Sequence, residues 1–525
     1  MKNGEEIPPD IQLKLHFTSA PALGNTGQVR IYNAADDSLV DTIDVGTPVT
    51  GTNFTIGGAA NFHLYPVLVD GNTATVFPHE HNLDYHKSYY VQMDSGVLKV
   101  NGAPFPGING KTAWTFSTKT APPPADATRL VVAADGTGDF ATVQGAVDFV
   151  PAKPRQRVTI FIRKGLYVEV VNFTGKSDIT FLGEDRAATT VGYPNNDRLN
   201  AGTAKRSSFA AIRSTGIVLA NLSFRNSTPK GGSQAESLMF SGGQNIITHC
   251  NFSSLQDTLL INNSAYVADS YIEGDVDFMW GTGPVFFQNC EIKGLTSKGY
   301  FSQIRNAGAG HGYVYDHCIF GTAPGVTGMY LSRIAPSTYP NSEFVLLDCA
   351  LGDGIIPAGW LLNGSPIDRG GGPAAPTTAP GLHFWEFNST NLSDGKPVDV
   401  SQRADYSRQL TMEKDADTIK NYRDPSYVLG WTPKLAPIVT APVTWQTSVS
   451  AGTSTFTFTV NAAGIPAPTY QWMLHGFALM DGEGVSGATT PTLTLSKTSS
   501  ASIGDYSVVI ANAQGSITVG AARTP

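Results

Sequence analysis

Charged residues are scarce in this chain. Only 15% of its 525 residues are Asp, Glu, Lys or Arg, the formal net charge is −8, and the isoelectric point is near 5.7. Nucleic-acid binding relies on a field of basic side chains, and interaction tails rely on runs of like charge, yet the sequence has neither. We therefore expect no nucleic-acid partner.

Long apolar runs are also missing. No stretch of about 18 apolar residues is present to span a bilayer, and the start MKNGEEIPPD has no apolar core of the signal-peptide kind. We expect no membrane partner, and if the protein is secreted or periplasmic its leader has been removed or lies outside this sequence. The residues that are abundant, Gly (55), Pro (33), Thr, Ser and Asn, favour turns and strands and so predict an all-β protein.

The length of the chain predicts several domains, because one hydrophobic core rarely grows to 525 residues. Short alternating runs predict an Ig-like β-sandwich at residues 7–119, and TAPPPAD indicates a Pro-rich linker at residues 120–128. A second set of alternating runs resembles an Ig-like sandwich at residues 438–525, with Trp472 in its core. Residues 129–435 remain as a large central domain.

The central domain contains an internal repeat. Six segments share one pattern, an apolar strand followed by a polar residue, a small or apolar residue and a second apolar pair, and they recur at intervals of 20 to 31 residues. Such intervals suit a solenoid coil and predict a right-handed parallel β-helix. Ahead of it, TVQGAVDFVP (residues 142–151) predicts a short helix that covers the open end of the solenoid. The stacked positions are Leu222, Cys250, Ser270, Cys290, Cys318 and Cys349.

All four cysteines fall on this one stacked position. They have no CxxC pair and no metal-ligand spacing, so we interpret them as small buried thiols in an internal ladder. A disulfide between neighbouring coils is the alternative, which ranks lower because disulfide geometry is restrictive.

Asp257 and Asp277 are twenty residues apart, and each lies seven residues after a stacked position. Equivalent positions of adjacent coils stack about 4.8 Å apart, so the two carboxylates should be neighbours. Like charges at that distance raise the pKa of one group, which yields one acid and one anion. The alternative is that both are polar turn residues at solvent-facing corners.

Residues 129–433 contain a series of motifs that, in chain order, are ADGTGDFATVQGAVDFVP, KGLYVEVV, SQAESL, LQDTL, VDFMWG, YLSR, PAGW and FWEFNST. In these motifs and their order the region resembles the pectin methylesterases, carbohydrate esterases that act on methyl esters of galacturonate. The resemblance covers about three fifths of the chain.

The resemblance implies a role for each of five residues. Asp277 of VDFMWG is implied as the nucleophile that attacks the ester carbonyl, and Asp257 of LQDTL as the general acid and then base. Gln234 and Gln256 are implied as the oxyanion-hole donors, and Arg333 of YLSR as the group that orients Asp277. These roles require no metal or other cofactor.

Several further residues bear on the predicted site. The resemblance implies that Trp280 lines the sugar groove, with packing between coils as the alternative. After Arg333 the sequence reads IAP where the family pattern has Pro-Trp, so one sugar-stacking ring is missing. Asp275 adds a carboxylate that strand alternation places on the same face as Asp277. Because this negative charge repels unesterified galacturonate, we expect a preference for highly methylated stretches.

Three histidines in HEHNLDYH (residues 79–86) have no visible fourth ligand, and we interpret them as loop residues.

The predicted function is hydrolysis of methyl-esterified homogalacturonan (pectin) to methanol and galacturonate by a monomer. Two alternatives remain: a β-helix protein that binds carbohydrate without catalysis, and an esterase or thioesterase acting on another acyl substrate. A pectin lyase or hydrolase on the same solenoid would need acidic calcium sites and a basic proton abstractor in place of the Gln, Gln, Asp, Asp and Arg set.

Overall fold

The computed structural model describes residues 6–363, 381–450, 453–497 and 505–520. The chain divides into two compact units, Met1–Leu429 and Gly430–Pro525. Among the described residues, every helix is too short or too polar to serve as a transmembrane span.

A parallel β-helix makes up most of the first unit, as predicted. Its strands stack into three parallel sheets of eleven, nine and eight strands, and each complete coil contributes one strand to each sheet. The eleven-stranded sheet contains Arg129–Val132, Val158–Ile162, Ile179–Gly183, Val218–Ala220, Asn245–Thr248, Ala265–Ala268, Val285–Gln288, Tyr313–Asp316, Glu343–Leu347, His383–Phe387 and Arg408–Gln409. The nine-stranded sheet contains Gly165–Val168, Thr189–Gly192, Ser223–Arg225, Asn251–Ser253, Tyr271–Gly274, Glu291–Gly294, Ile319–Thr322, Ala350–Leu351 and Thr390–Asn391. The eight-stranded sheet contains Val171–Thr174, Phe209–Ile212, Leu238–Ser241, Leu259–Asn262, Val276–Thr282, Tyr300–Ile304, Tyr330–Ile334 and Trp360–Leu362.

The predicted ladder is confirmed by the strand register. In the nine-stranded sheet Asn251 pairs with Tyr271, Tyr271 with Glu291, and Glu291 with Ile319, so the residues just before them stack in successive coils. All four cysteines are free and buried in the solenoid interior. Burial raises the pKa of the Cys250 thiol to about 12, so that thiol is unreactive at neutral pH.

The predicted helix is also present, as α1 (Val143–Phe149). Its buried Val143, Ala146 and Val147 join the solenoid core. The Thr142 hydroxyl caps the helix by accepting from the Gly145 N–H at 3.0 Å.

Carboxylates from two parts of the first unit meet the start of α1. Glu169, on a β-helix loop, accepts from the backbone N–H groups of Val143 and Gln144, each at 2.9 Å. Asp10, from the N-terminal segment, accepts from the N–H of Thr142 at 2.8 Å and from its hydroxyl at 2.7 Å. Acidic groups are favourable at this position because they satisfy free N–H groups and oppose the helix dipole.

The N-terminal segment forms four small sheets that pack on the first coils. Phe54, Phe62 and Phe77 share one buried cluster with Tyr193 and Leu199 of the β-helix, so a common core joins the two parts. The four sheets contain, in turn, Glu6–Ile7, Thr115–Thr118, Ser88–Met93, Gln28–Asn33 and Leu39–Asp44; Leu13–His16, Thr73–Val76 and Val67–Asp70; Ala103–Pro104, Leu98–Val100 and Ala22–Leu23; and Phe54–Ile56 and Ala59–Phe62. A 3-10 turn covers Val49–Gly51. The domain boundaries at 119 and 129 stay a prediction.

The second unit forms two antiparallel four-stranded sheets around one core. Trp472 is buried at its centre, as predicted, and its indole N–H donates to the Thr490 carbonyl at 2.9 Å. The first sheet contains Leu435–Ser450, Thr453–Ile465, Thr492–Lys497 and Val485–Ser486, and the second contains Phe477–Ala478, Thr469–Leu474, Tyr506–Asn512 and Gly515–Gly520. The predicted end of this domain at residue 525 lies outside the described residues.

Two helices, α2 (Met412–Tyr422) and α3 (Pro425–Leu429), follow the last coil. The buried Glu343 carboxylate holds α2 in place by accepting from the Tyr422 hydroxyl at 2.6 Å. His311 and His383 contact the same carboxylate at 3.1 and 2.7 Å. Burial raises the pKa of Glu343, but the hydrogen bonds from His311, His383 and Tyr422 outweigh it and hold that pKa at about 2.

Replacing Glu343 with Gln should lower the free energy of unfolding at pH 7 by about 3 kcal/mol. A carboxylate with a depressed pKa stabilises the fold above its unfolded pKa, and this stability is lost as pH falls toward the folded value. The difference between the parent and Glu343→Gln in urea denaturation should therefore shrink between pH 5 and pH 2. Asp394→Asn, which removes an exposed partner of Lys396, is the control and should change stability by less than about 0.5 kcal/mol. An equal loss at all pH values would contradict the assignment.

Candidate functional site

Asp257 and Asp277 lie in adjacent coils of the eight-stranded sheet. Leu259 pairs with Met279, and Gln256 forms a parallel bridge with Val276, so the two aspartates occupy equivalent positions. The twenty-residue interval predicted this stacking, and the register confirms it. Both residues are buried, and both have a left-handed backbone conformation, with φ of 69° for Asp257 and 48° for Asp277. Strained backbone of this kind concentrates at functional sites.

A β-bulge follows Asp277. Val276 pairs with Tyr300 and Met279 with Ser302, so Asp277 and Phe278 together oppose the single residue Phe301. Phe278 and Met279 both pack into the solenoid core, while the Asp277 carboxylate binds Arg333. The acidic group therefore lies next to a core phenylalanine and points away from the core.

Arg333 binds Asp277 through two nitrogens. Its Nε donates to Oδ1 at 2.9 Å and its Nη2 donates to Oδ2 at 2.5 Å. The Arg333 guanidinium also lies 4.2 Å from the centre of the Tyr300 ring. Burial raises the pKa of Asp277, and the hydrogen bonds and charge of Arg333 oppose that rise. The predicted partnership of these two residues is thus present in the structure.

Asp257 has a different cation, Arg206, whose Nη2 donates to Asp257 Oδ2 at 3.0 Å. The same guanidinium binds the fully buried Glu236. Burial and the negative charge of Glu236 raise the pKa of Asp257 well above its ordinary value, and Arg206 only partly offsets them. Asp277 has a bidentate arginine of its own, while Asp257 shares its arginine with Glu236, so Asp257 is the member of the pair that holds a proton.

Sequence reasoning missed Arg206 and Arg305. Arg206 comes from a loop about fifty residues before Asp257, outside every motif. Glu236 was visible as an unusual residue after Gln234, and a buried glutamate needs a cation, so its presence was the available signal. Nothing in the sequence indicated which arginine would supply that cation.

Gln234 and Gln256 are both half-buried, and they lie in adjacent coils, since the Ala235 N–H donates to the Gln256 carbonyl at 3.1 Å. The Ser233 hydroxyl donates to Gln234 Oε1 at 2.8 Å, which orients that amide with its NH₂ group away from Ser233. Gln256 lines a cavity of about 160 Å³ together with Ser233, Lys230 and Asp275. The oxyanion-hole roles of both amides stay a prediction.

Trp280 is less open than a sugar-stacking ring requires. The residue is 6% exposed, and the Arg305 guanidinium lies 4.3 Å from the ring centre. Its side chain also packs in a row with Met239 and Leu260 on the outer face of the sheet. A sugar would have to displace Arg305 to reach this face, so the stacking role stays a prediction while the packing role is observed.

Asp275 does not add an uncompensated charge beside Asp277. Its Oδ2 pairs with Lys230 Nζ at 3.0 Å, whereas Asp277 pairs with Arg333. Lys230 thus offsets the added charge of Asp275, and the expected preference for highly methylated stretches stays a prediction.

One other acidic and histidine group has metal-like spacing among the described residues, namely Asp316, His317 and Asp348. Arg423 and Asn388 already bind Asp348, and Gln288 binds Asp316. His79 of the HEHNLDYH segment pairs with Asp41. Protein side chains thus already bind these possible metal ligands.

Comparisons with known proteins agree with this fold. The sequence model of the pectinesterase family matches residues 129–367. Pectinesterase/pectinesterase inhibitor 18 of Arabidopsis thaliana is 29% identical over 53% of this chain and 49% of its own length. Pectinesterase 31 of the same plant is 31% identical over 39% of this chain and 69% of its own length. The chain belongs to the pectinesterase family.

A solved structure shares the fold. The pectin methylesterase from carrot aligns with a TM-score of 0.50 and 23% sequence identity, covering 57% of this chain and 92% of that chain. The chain spans about half the length of Pectinesterase/pectinesterase inhibitor 18, the first curated relative named above.

Proposed function

We propose that this protein hydrolyses the methyl esters of pectin, releasing methanol and leaving galacturonate carboxylates. The observation that carries the proposal is the unequal environment of two stacked carboxyl groups. Arg333 binds Asp277 at both oxygens, and Asp257 shares Arg206 with Glu236. One group is thereby suited to act as an anion and the other as an acid.

In the first step, an ionised Asp277 oxygen attacks the ester carbonyl carbon. The NH₂ groups of Gln234 and Gln256 would donate to the developing oxyanion, at roughly 3 kcal/mol of barrier per donor. The C–O bond to the methoxy group then breaks, and Asp257 gives its proton to the departing oxygen, so methanol leaves. The product of this step is an anhydride between Asp277 and the galacturonate.

In the second step, water cleaves that anhydride. Asp257, now ionised, takes one proton from the attacking water, and the second proton of that water passes to the solvent as the galacturonate carboxylate and the Asp277 carboxylate are released. Arg333 favours the return of Asp277 as an anion because its fork of donors matches a carboxylate. The cycle restores both aspartates to their starting protonation states.

Pectin is also the macromolecular partner that we propose, bound by a monomer in an extracellular or periplasmic location. Arg305 and Arg333 lie on the outer face of the sheet next to the two aspartates. Together they give an acidic polysaccharide a cationic edge beside the reacting ester. The two antiparallel domains at either end of the chain have no role assigned here.

Methanol release from highly methylated pectin, followed with and without EDTA, tests the proposal. We expect release at similar rates in both cases, because the roles above use only side chains. Loss of release in EDTA that added metal restores would contradict the mechanism. Absence of methanol release, with hydrolysis of acetylated sugars or acyl thioesters instead, would reassign the substrate while keeping the site.

A further inference from the structure

The acid Asp257 is held by an ion pair that the proposed mechanism does not use. Glu236 is fully buried, and both of its oxygens lie near Arg206 Nε, at 2.9 and 3.1 Å. Arg206 Nη2 donates to Glu236 Oε1 at 2.7 Å and to Asp257 Oδ2 at 3.0 Å. One guanidinium therefore links the two carboxyl groups.

We propose that Arg206 and Glu236 are positioning residues that fix the orientation of Asp257 and keep it available as an acid. The inference rests on the proposed function of this site. Arg206 Nη2 gives one hydrogen to Glu236 Oε1 and the other to Asp257 Oδ2, so Oδ2 is the oxygen of Asp257 that accepts from the arginine. The proton of the acid is therefore carried by Oδ1, which leaves that oxygen to donate to the leaving methanol.

Glu236 is needed because Arg206 alone would weaken the acid. A cation at 3.0 Å favours the ionised form of a carboxyl group, so Arg206 without Glu236 would lower the pKa of Asp257 and favour loss of its proton. The negative charge of Glu236, bound to the same guanidinium, raises the pKa of Asp257 and so offsets the effect of Arg206. The pair thus supplies a directed hydrogen bond without supplying a net charge.

Other charged groups also face Asp257 and bear on its titration. Asp277 raises its pKa, and Arg305 lowers it. Arg333 binds Asp277, and Asp197 accepts from Arg206 at 3.2 Å and also raises the pKa of Glu236. The Asp197 side chain is 36% exposed, whereas that of Glu236 is 0% exposed. Solvent therefore screens Asp197, and Glu236 has the dominant effect.

A structural role alone is a weak explanation for this pair. Burying two charges costs desolvation, and apolar side chains of similar volume are often as stabilising or more so. A requirement for one directed hydrogen bond and no net charge explains why an arginine and a glutamate stand together.

The test compares Glu236→Gln with Asp197→Asn. Glutamine still accepts from Arg206 but removes the charge, so the basic limb of the pH profile of kcat/KM should move to lower pH by about one unit or more. The acid limb, which reports Asp277, should stay in place. Asp197→Asn removes the exposed partner of the same guanidinium and should leave both limbs unmoved.

A second readout does not depend on turnover. The infrared carbonyl band of protonated Asp257, identified by its absence in Asp257→Asn, should titrate at lower pH in Glu236→Gln. If the parent releases no methanol, the proposed function fails, and this band still tests the pair. Arg206→Lys keeps the positive charge but loses the planar set of guanidinium donors. It should lower kcat by about tenfold without moving the basic limb. An unmoved band in folded Glu236→Gln, or an equal shift in Asp197→Asn, would overturn the proposal.

Discussion

Replacing Asp277 with Asn should lower the rate of methanol release by at least about 10⁴-fold. Asparagine keeps the shape of the side chain but has no anionic oxygen to attack the ester carbonyl. It also leaves Arg333 without its bidentate carboxylate partner, so we expect a modest loss of stability as well. Initial rates of methanol release measured at equal concentrations of folded protein separate these two effects.

Asp275→Asn is the matched control for that experiment. Asp275 is also buried, lies two residues away and has its own cation in Lys230. Because it has no part in the proposed chemistry, the variant should keep activity within about tenfold of the parent. Activity of Asp277→Asn close to that of Asp275→Asn would remove Asp277 from the mechanism.

Replacing Asp257 with Asn should lower methanol release by about 10³-fold, because methoxide is a poor leaving group without a proton donor. The dependence on this acid should weaken for an aryl ester of galacturonate, whose phenol leaves without help. The second step still needs a base, so Asp257→Asn should accumulate the anhydride. We therefore expect a burst of phenol equal to the amount of enzyme, followed by a slow phase.

Stopped-flow absorbance of the released phenol measures both phases. The parent protein should show no burst of comparable size under the same conditions if its second step is fast. A variant that is equally slow with methyl and aryl esters, and that shows no burst, would mean that Asp257 acts before the leaving group departs. Its role would then be in binding or orienting the substrate.

The sequence predicted the parts of the site that depend on periodicity. A parallel solenoid repeats its coils in register, so the spacing of the cysteines predicted which residues stack, and the spacing of Asp257 and Asp277 followed from the same rule. The family resemblance predicted Arg333, and the structure places its Nε 2.9 Å from Asp277 Oδ1.

The sequence could not predict contacts made by loops and bulges. Arg206 reaches Asp257 from a loop whose path no repeat defines. The two-residue period did not predict the β-bulge after Asp277, where two consecutive residues, Phe278 and Met279, both face the core. Burial of the Trp280 ring under Arg305 likewise depends on tertiary packing. The first and the last of these misses each involve a charged side chain, whose partner is set by three-dimensional proximity.

The carboxylate of Asp10 at the start of α1 bears on how this chain can be divided in the laboratory. A shortened protein beginning at residue 129 would match the limits of the family resemblance, yet it would lose this cap and the apolar cover on Tyr193 and Leu199. The first coils would then expose apolar surface to the solvent, and that surface could bind other copies of the protein. Anyone who trims this protein for expression, fusion or domain exchange should keep the N-terminal segment and cut after Leu429 instead.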